Sequence, residues 1–129
     1  MSEILIARFQ HQQSLLVASH IIVEYIILAE LIRKYDGYLR IRAKLFNGGL
    51  LEYAEFLELD NDGQIRDLKY SFHWQNAENK MVQRWDNAKH HPELLHAPHH
   101  IHWAHEIITG NPEIPTLDSV LHIIEQRIT

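Results

Sequence analysis

The hydrophobic pattern changes period along the chain. Leu5, Phe9, Gln12 and Leu16 recur at helical spacing, which predicts a helix within Ser2 to Ser19. From Ile21 to about Lys34 the residue types turn to Ile, Val, Tyr and Leu, the composition of a strand, although Ala29-Glu30-Leu31 would also suit a helix. Leu39, Ile41, Ala43 and Leu45 then alternate with Arg40, Arg42 and Lys44, the period of two of a strand with one apolar and one basic face. Asn47-Gly48-Gly49 supplies the positive φ angles of a tight turn, and Leu51 to Leu59 returns. Asp60-Asn61-Asp62-Gly63 turns again. Leu68, Tyr70, Phe72 and Trp74 alternate with Asp67, Lys69, Ser71 and His73, the clearest strand pattern in the chain, and Met81 to Asp86 follows a turn at Gln75–Asn79.

After Asp86 the alternation stops. Pro92, Pro98, Pro112 and Pro115 break residues 87–115 into a loop-rich segment, long for a connection without a task. Thr116 then caps a last helix with Asp118 in its first turn, and Leu117, Val120, Leu121, Ile124 and Ile128 fall on one side of it. The expected architecture is α+β. An antiparallel β-meander of four to five strands carries an N-terminal and a C-terminal helix, with a His-rich, Pro-bounded loop on top.

Size and composition narrow the classes. The 129 residues make a single domain, 1–129, able to bury roughly two-thirds of its unfolded surface without a disulfide or structural metal. Cysteine is absent, which excludes thiol catalysis and any Cys-ligated metal or cluster. The apolar runs are too short to span a bilayer and no basic segment leads into a cleavable apolar run, so a cytoplasmic domain without membrane contact is expected. The formal charge of −5 argues against a protein that coats nucleic acid indiscriminately. The charge is segregated, however. Residues 33–44 carry Arg33, Lys34, Arg40, Arg42 and Lys44 against Asp36, and residues 45–65 carry Glu52, Glu55, Glu58, Asp60 and Asp62 without a base. Such strips suit a phosphate backbone on one side and a basic partner on another, or are simply two solvated strands pairing across a hairpin.

Histidine is the outlier: 11 in all, seven of them from His90 to His105. Imidazole serves proton transfer near neutral pH, metal ligation and pH-dependent charge. His90-His91 and His99-His100 with His102 share a loop stiffened by Pro92 and Pro98, and residues two apart, such as His100 and His102, face one side of an extended chain. Three chemistries follow. Zinc would be held by His100, His102 and one of the earlier pair, here His91, although no established zinc spacing is present. A structural role would bond the rings to backbone carbonyls. Acid–base chemistry would use one His to accept and another to donate a proton, with Arg84 and Lys89 neutralising a phosphate and Asp86 orienting a ring. Asp60-x-Asp62-Gly63 opens like a calcium loop, but its twelfth position is Ser71 within a strand, so it is a turn.

The run Arg84-Trp85-Asp86-Asn87-Ala88, then His90-His91-Pro92 and Pro98-His99-His100 with His102, resembles the TumE-like toxins of prokaryotic type II toxin–antitoxin systems. Tyr70 with His73-Trp74-Gln75 and Pro115-Thr116-Leu117 with Val120 and Leu121 extend the resemblance over about residues 21–128. Lys89, His96-Ala97 and Trp103 depart from the family's pattern. The resemblance implies a growth-inhibiting toxin and a cognate antitoxin, often a helix-turn-helix DNA-binding protein, which an acidic strip would dock if basic. It makes RNA the expected target. In metal-independent cleavage the base and acid are expected from His91 and His100, with His90, His99 and His102 as alternates. Arg84, Lys89, Arg40 and Arg42 would contact the substrate. Trp85 is expected either in the core or as a base-stacking platform. No cofactor is needed in that reading. A zinc protein or metal-dependent hydrolase, or a non-catalytic interaction module, are the alternatives, and a homodimer is compatible with any of them.

Overall fold

The computed structural model describes residues 2–129. The order of elements is α1 (Glu3–Ala18), β1 (Ile22–Ile32), β2 (Asp36–Leu45), β3 (Leu50–Leu59), β4 (Ile65–Gln75), β5 (Met81–Asp86), β6 (His100–Trp103), β7 (Ile108–Gly110) and α2 (Leu117–Ile128). The strands form one sheet in sequential order, each antiparallel to the next. The fold is α+β as expected, but the sheet has seven strands instead of four to five. The added strands, β6 and β7, come from the Pro-bounded segment. Both are short and the first is His-rich, so only pairing with β5 makes that one a strand.

Both helices cover one face. Ser2 caps α1 by accepting from Leu5 N at 3.2 Å, and Leu5, Phe9, Gln12 and Leu16 are buried, the positions expected from the spacing. Thr116 and Ser119 form a capping box on α2, whose Leu117, Val120, Leu121 and Ile124 enter the same core. Beneath them lie Leu39, Ile41, Ala43 and Leu45 of β2, Leu51, Tyr53 and Leu57 of β3, and Phe72 and Trp74 of β4. Tyr53 stacks on Phe72 at 5.4 Å between ring centroids. Arg127 of α2 lies over the Trp74 ring and donates to Gln83 Oε1, fixing that helix over β4 and β5. No helix covers the opposite face among the described residues.

Two sequence expectations are corrected here. Leu68 does not continue the core row of Tyr70, Phe72 and Trp74. A register shift beside Phe56 and Leu57 pairs Lys69 with Phe56 but Asp67 with Leu57, so Leu68 stands 41% exposed and Asp67 turns towards the helices. Nor do residues 45–65 form one acidic strip. Glu52 stands on the open face, accepting from Arg40 and Arg42. Glu55, on the opposite side of the same strand, is 1% exposed beneath α1, where Gln12 Nε2 donates to it and Arg8 Nη2 lies 3.4 Å away. An alternating strand divides its charges between two faces, so a run in sequence is not a patch on a surface.

Candidate functional site

The site is built by register. Antiparallel pairing sets Asp86 opposite His100 and Arg84 opposite His102, while Trp85 pairs with Ile101 on the core side. Alternation therefore turns Arg84, Asp86, His100 and His102 together onto the open face. The chain between β5 and β6 brings a third ring back: the centroid of His91 lies 5.2 Å from that of His100 and 6.0 Å from that of His102. The His100 and His102 centroids are 4.8 Å apart.

Asp86 organises the rings. Its side chain is 5% exposed, with Oδ1 2.9 Å from His100 Nε2 and Oδ2 3.4 Å from His102 Nε2. Ala88 N donates to Oδ1 at 3.0 Å, anchoring the start of the loop to the same carboxylate. Arg84 Nε approaches Oδ2 to 3.0 Å without a properly directed hydrogen bond, so this is a contact of charges. On its other side His100 Nδ1 meets the Pro98 carbonyl at 2.8 Å. A carbonyl only accepts, so His100 Nδ1 carries the proton that bonds it. His100 Nε2 makes its hydrogen bond to His102 Nε2 at 3.0 Å, and its approach to Asp86 Oδ1 is close without being a directed hydrogen bond.

The rings differ in access. His100 is 2% exposed, whereas the side chains of His91 and His102 are 28% and 26% exposed. Burial pushes the His102 pKa below its ordinary value; Asp86 opposes this, and the neighbouring His100, Arg84 and His91 reinforce it. Glu93 Oε1 stands 3.5 Å from His91 Nδ1. His73, beside Arg84 on the neighbouring strand, is also lowered, by burial first and then by Arg84, with Glu52 opposing. The arrangement offers two accessible imidazoles in front of a buried Asp86–His100 pair, with a guanidinium at the side.

Not every expected residue joins them. His99 points elsewhere: its Nδ1 meets the Tyr70 hydroxyl at 2.9 Å, and burial followed by the His100 charge lowers its pKa. His90 and Lys89 are exposed and form no side-chain hydrogen bond or ion pair among the described residues. Trp85 is 2% exposed in the core, which leaves no ring face for a base; of its two expected roles the structural one describes its position. Arg40 and Arg42 lie on the open face, on β2, away from the rings.

Several supporting residues were not anticipated. Asn87 Oδ1 accepts from Tyr70 N and its amide donates to the Leu68 carbonyl, tying the loop to the bulged end of β4. Gly110 lets the loop descend: a Cβ built there would lie 1.6 Å from the Leu95 carbonyl oxygen. The Pro98 carbonyl and Glu93 complete the surroundings of the rings. The turn-type pair Asp86-Asn87 and the lone glycine after β6 are the sequence signals for the first two.

A family model described as Toxin TumE matches residues 12–128, nearly the whole chain. The protein belongs to the TumE toxin family. The match begins inside α1, earlier than the stretch 21–128 that carries the sequence resemblance, and it includes the whole His segment. Membership in the TumE family gives the protein a toxin's role and implies a cognate antitoxin. No curated protein and no solved structure matches the chain. No helix is long and apolar enough to cross a membrane among the described residues.

Proposed function

We propose that this toxin inhibits growth by cleaving RNA through acid–base catalysis. One observation carries the reading: two partly exposed imidazoles, His91 and His102, open beside Arg84 in front of a buried Asp86–His100 pair. His102, with its lowered pKa, is the base, and His91 with Glu93 beside it is the acid. His102 removes the proton of the 2′-hydroxyl, whose oxygen attacks the adjacent phosphorus. Arg84 stabilises the extra charge on the phosphorane. His91 protonates the departing 5′ oxygen as its bond to phosphorus breaks. The products are a 2′,3′-cyclic phosphate and a free 5′-hydroxyl. His100 holds His102 in place and does not itself reach the substrate.

This shifts the base–acid pair from His91 and His100 to His91 and His102, because His100 is enclosed. The test is incubation of purified protein with single-stranded RNA in excess EDTA. Cleavage by wild type and none by His91→Ala/His102→Ala supports the reading; equal cleavage by both rejects it.

A second reading, a zinc-dependent site, has one observation in its favour. One nitrogen from each of His91, His100 and His102 lies within 4.8 Å of the others, and the Pro98 carbonyl fixes the far nitrogen of His100. Such an outer partner is a feature of metal-ligating histidines. Stoichiometric zinc in untagged protein, with activity lost in EDTA and restored by zinc, would favour it over the metal-free mechanism. For the partner, a helix-turn-helix antitoxin acting in the cytoplasm completes the proposal.

A further inference from the structure

The face of the sheet turned away from the helices is not flat. Register across five strands draws two rows. One runs Arg40, Ala54, Ser71, Asp86, His100; its neighbour runs Arg42, Glu52, His73, Arg84, His102. In the first row Ala54 and Ser71 are small, and the larger side chains beside them rise above this floor. Tyr38 and Phe56, a cross-strand pair, and Lys69, opposite Phe56, stand on one side. Glu52, His73 and Arg84 stand on the other. Together they enclose a trough of about 500 Å³. With neighbouring strands roughly 4.8 Å apart, the row from Arg40 to His100 extends about 19 Å.

We propose that this trough is the track that carries single-stranded RNA to the His102 end, with an unpaired base stacked on Phe56 and Tyr38. The proposal rests on the RNA-cleaving reading and adds the substrate's form and its path. Charge supports a polyanion despite the acidic chain as a whole: Arg40, Arg42, Lys69 and Arg84 line the trough against Glu52. Glu52 accepts from both Arg40 and Arg42, which fixes the two guanidinium forks at one end while leaving an excess of positive charge. Tyr38 and Phe56 are half-buried, each part-open to the trough, and aromatics on a sheet serve bases that are unstacked and unpaired, because a paired base offers only its edges to a side chain. The floor of Ala54 and Ser71 leads directly to Asp86 and His100, so a strand lying there passes its phosphates beside Arg84 and His102.

The test uses the full chain and a short fluorescent single-stranded RNA made uncleavable by 2′-deoxy sugars at its cleaved positions. Phe56→Ala is expected to weaken its binding about tenfold, the loss of one stacked base. Ser71→Leu, which fills the floor, is expected to weaken it at least as much, with thermal unfolding checked for each variant. Should Ser71→Leu fail to fold, Lys69→Gln replaces it, with weaker binding and a shallower salt dependence expected. Wild-type affinity in the folded variants, or a wild-type preference for duplex RNA, would overturn the track while RNA cleavage stood. Failure of the wild-type protein to bind or cleave any RNA would overturn both.

Discussion

His100 stands behind His102: its Nε2 lies 3.0 Å from His102 Nε2 and 2.9 Å from Asp86 Oδ1, and its ring is almost wholly enclosed. The two residues have neighbouring places in sequence and one face in the strand, yet different work. In the proposed mechanism one ring is a strut and the other meets the substrate.

Removing them should therefore differ in kind. His102→Ala should lower RNA cleavage by about 10²- to 10⁴-fold while the protein unfolds near the wild-type temperature. His100→Ala should lose cleavage and also about 3 kcal/mol of stability, because it leaves Asp86 buried without its closest partner. Urea unfolding alongside a cleavage assay separates the two. Equal stability loss in both variants would contradict this division.

The acid side of the pH–rate profile should follow His102. Burial, reinforced by His100, Arg84 and His91, holds its pKa below the ordinary 6.5 against the opposing pull of Asp86. The ring thus remains unprotonated, and able to accept a proton, at pH values where a free imidazole is already charged. The falling limb should lie below pH 6.5. Arg84→Gln removes one of the lowering influences, so this limb should move upward as the maximal rate falls. A limb that stays put in Arg84→Gln would remove His102 from the base role.

Gly110 supplies a test of the loop independent of the rings. An alanine there would drive its Cβ into the Leu95 backbone, so residues 91–99 would have to shift. Gly110→Ala should cost at least tenfold in cleavage, since small displacements of catalytic groups are expensive. The core beneath α1 and α2 is untouched, and most stability should remain. Near-wild-type cleavage would show that the loop does not set the position of His91.

Beneath α1, Asp67 should make stability depend on pH. Burial, with Glu55 hydrogen-bonded and charged nearby, raises its pKa from 3.8 to about 9, against the weaker pull of Arg8. The folded state thus holds a proton that the unfolded state releases between those values. The associated stability is complete below about pH 3.8 and is lost as pH rises through about 9. Asp67→Asn keeps a neutral group at every pH. It should raise the unfolding temperature by a few degrees at pH 8, roughly the effect of 1 kcal/mol, and by less at pH 5. Equal shifts at both values would contradict a raised Asp67.

Much of this fold is written in local patterns. The apolar alternation of Leu39 to Leu45 and the helical spacing of Leu5, Phe9, Gln12 and Leu16 report burial directly, because each face meets one environment. Turns are as legible: Gly48 and Gly63 adopt φ of 88° and 77°, and Asp60 Oδ1 accepts from Asp62 N and Gln64 N. Leu68 misled because a bulge adds a residue and exchanges the faces, and no local signal fixes where a bulge falls. The strand at His100–Trp103 was hidden because long-range pairing with β5, and not its own composition, makes it extended.

The arrangement of the candidate site was legible only in part. His100 and His102 face one side, as spacing two apart requires. Asp86 stands against the ring of His100, and which ring it meets depends on a register closed across thirteen intervening residues from Asn87 to His99. The same closure sends His99 to Tyr70 and brings His91 back. Neither destination is encoded by neighbours in sequence.

The chemistry of the cut ends tests the central claim most directly. Purified wild-type protein, freed of metal and held in EDTA, is given a single-stranded RNA and a copy carrying 2′-deoxy sugars at the cleaved positions. The account predicts 2′,3′-cyclic phosphate and 5′-hydroxyl ends from the first and no cutting of the second. Cleavage of the deoxy copy, or 5′-phosphate ends, would contradict the assignment of His102 as the base that activates the 2′-hydroxyl.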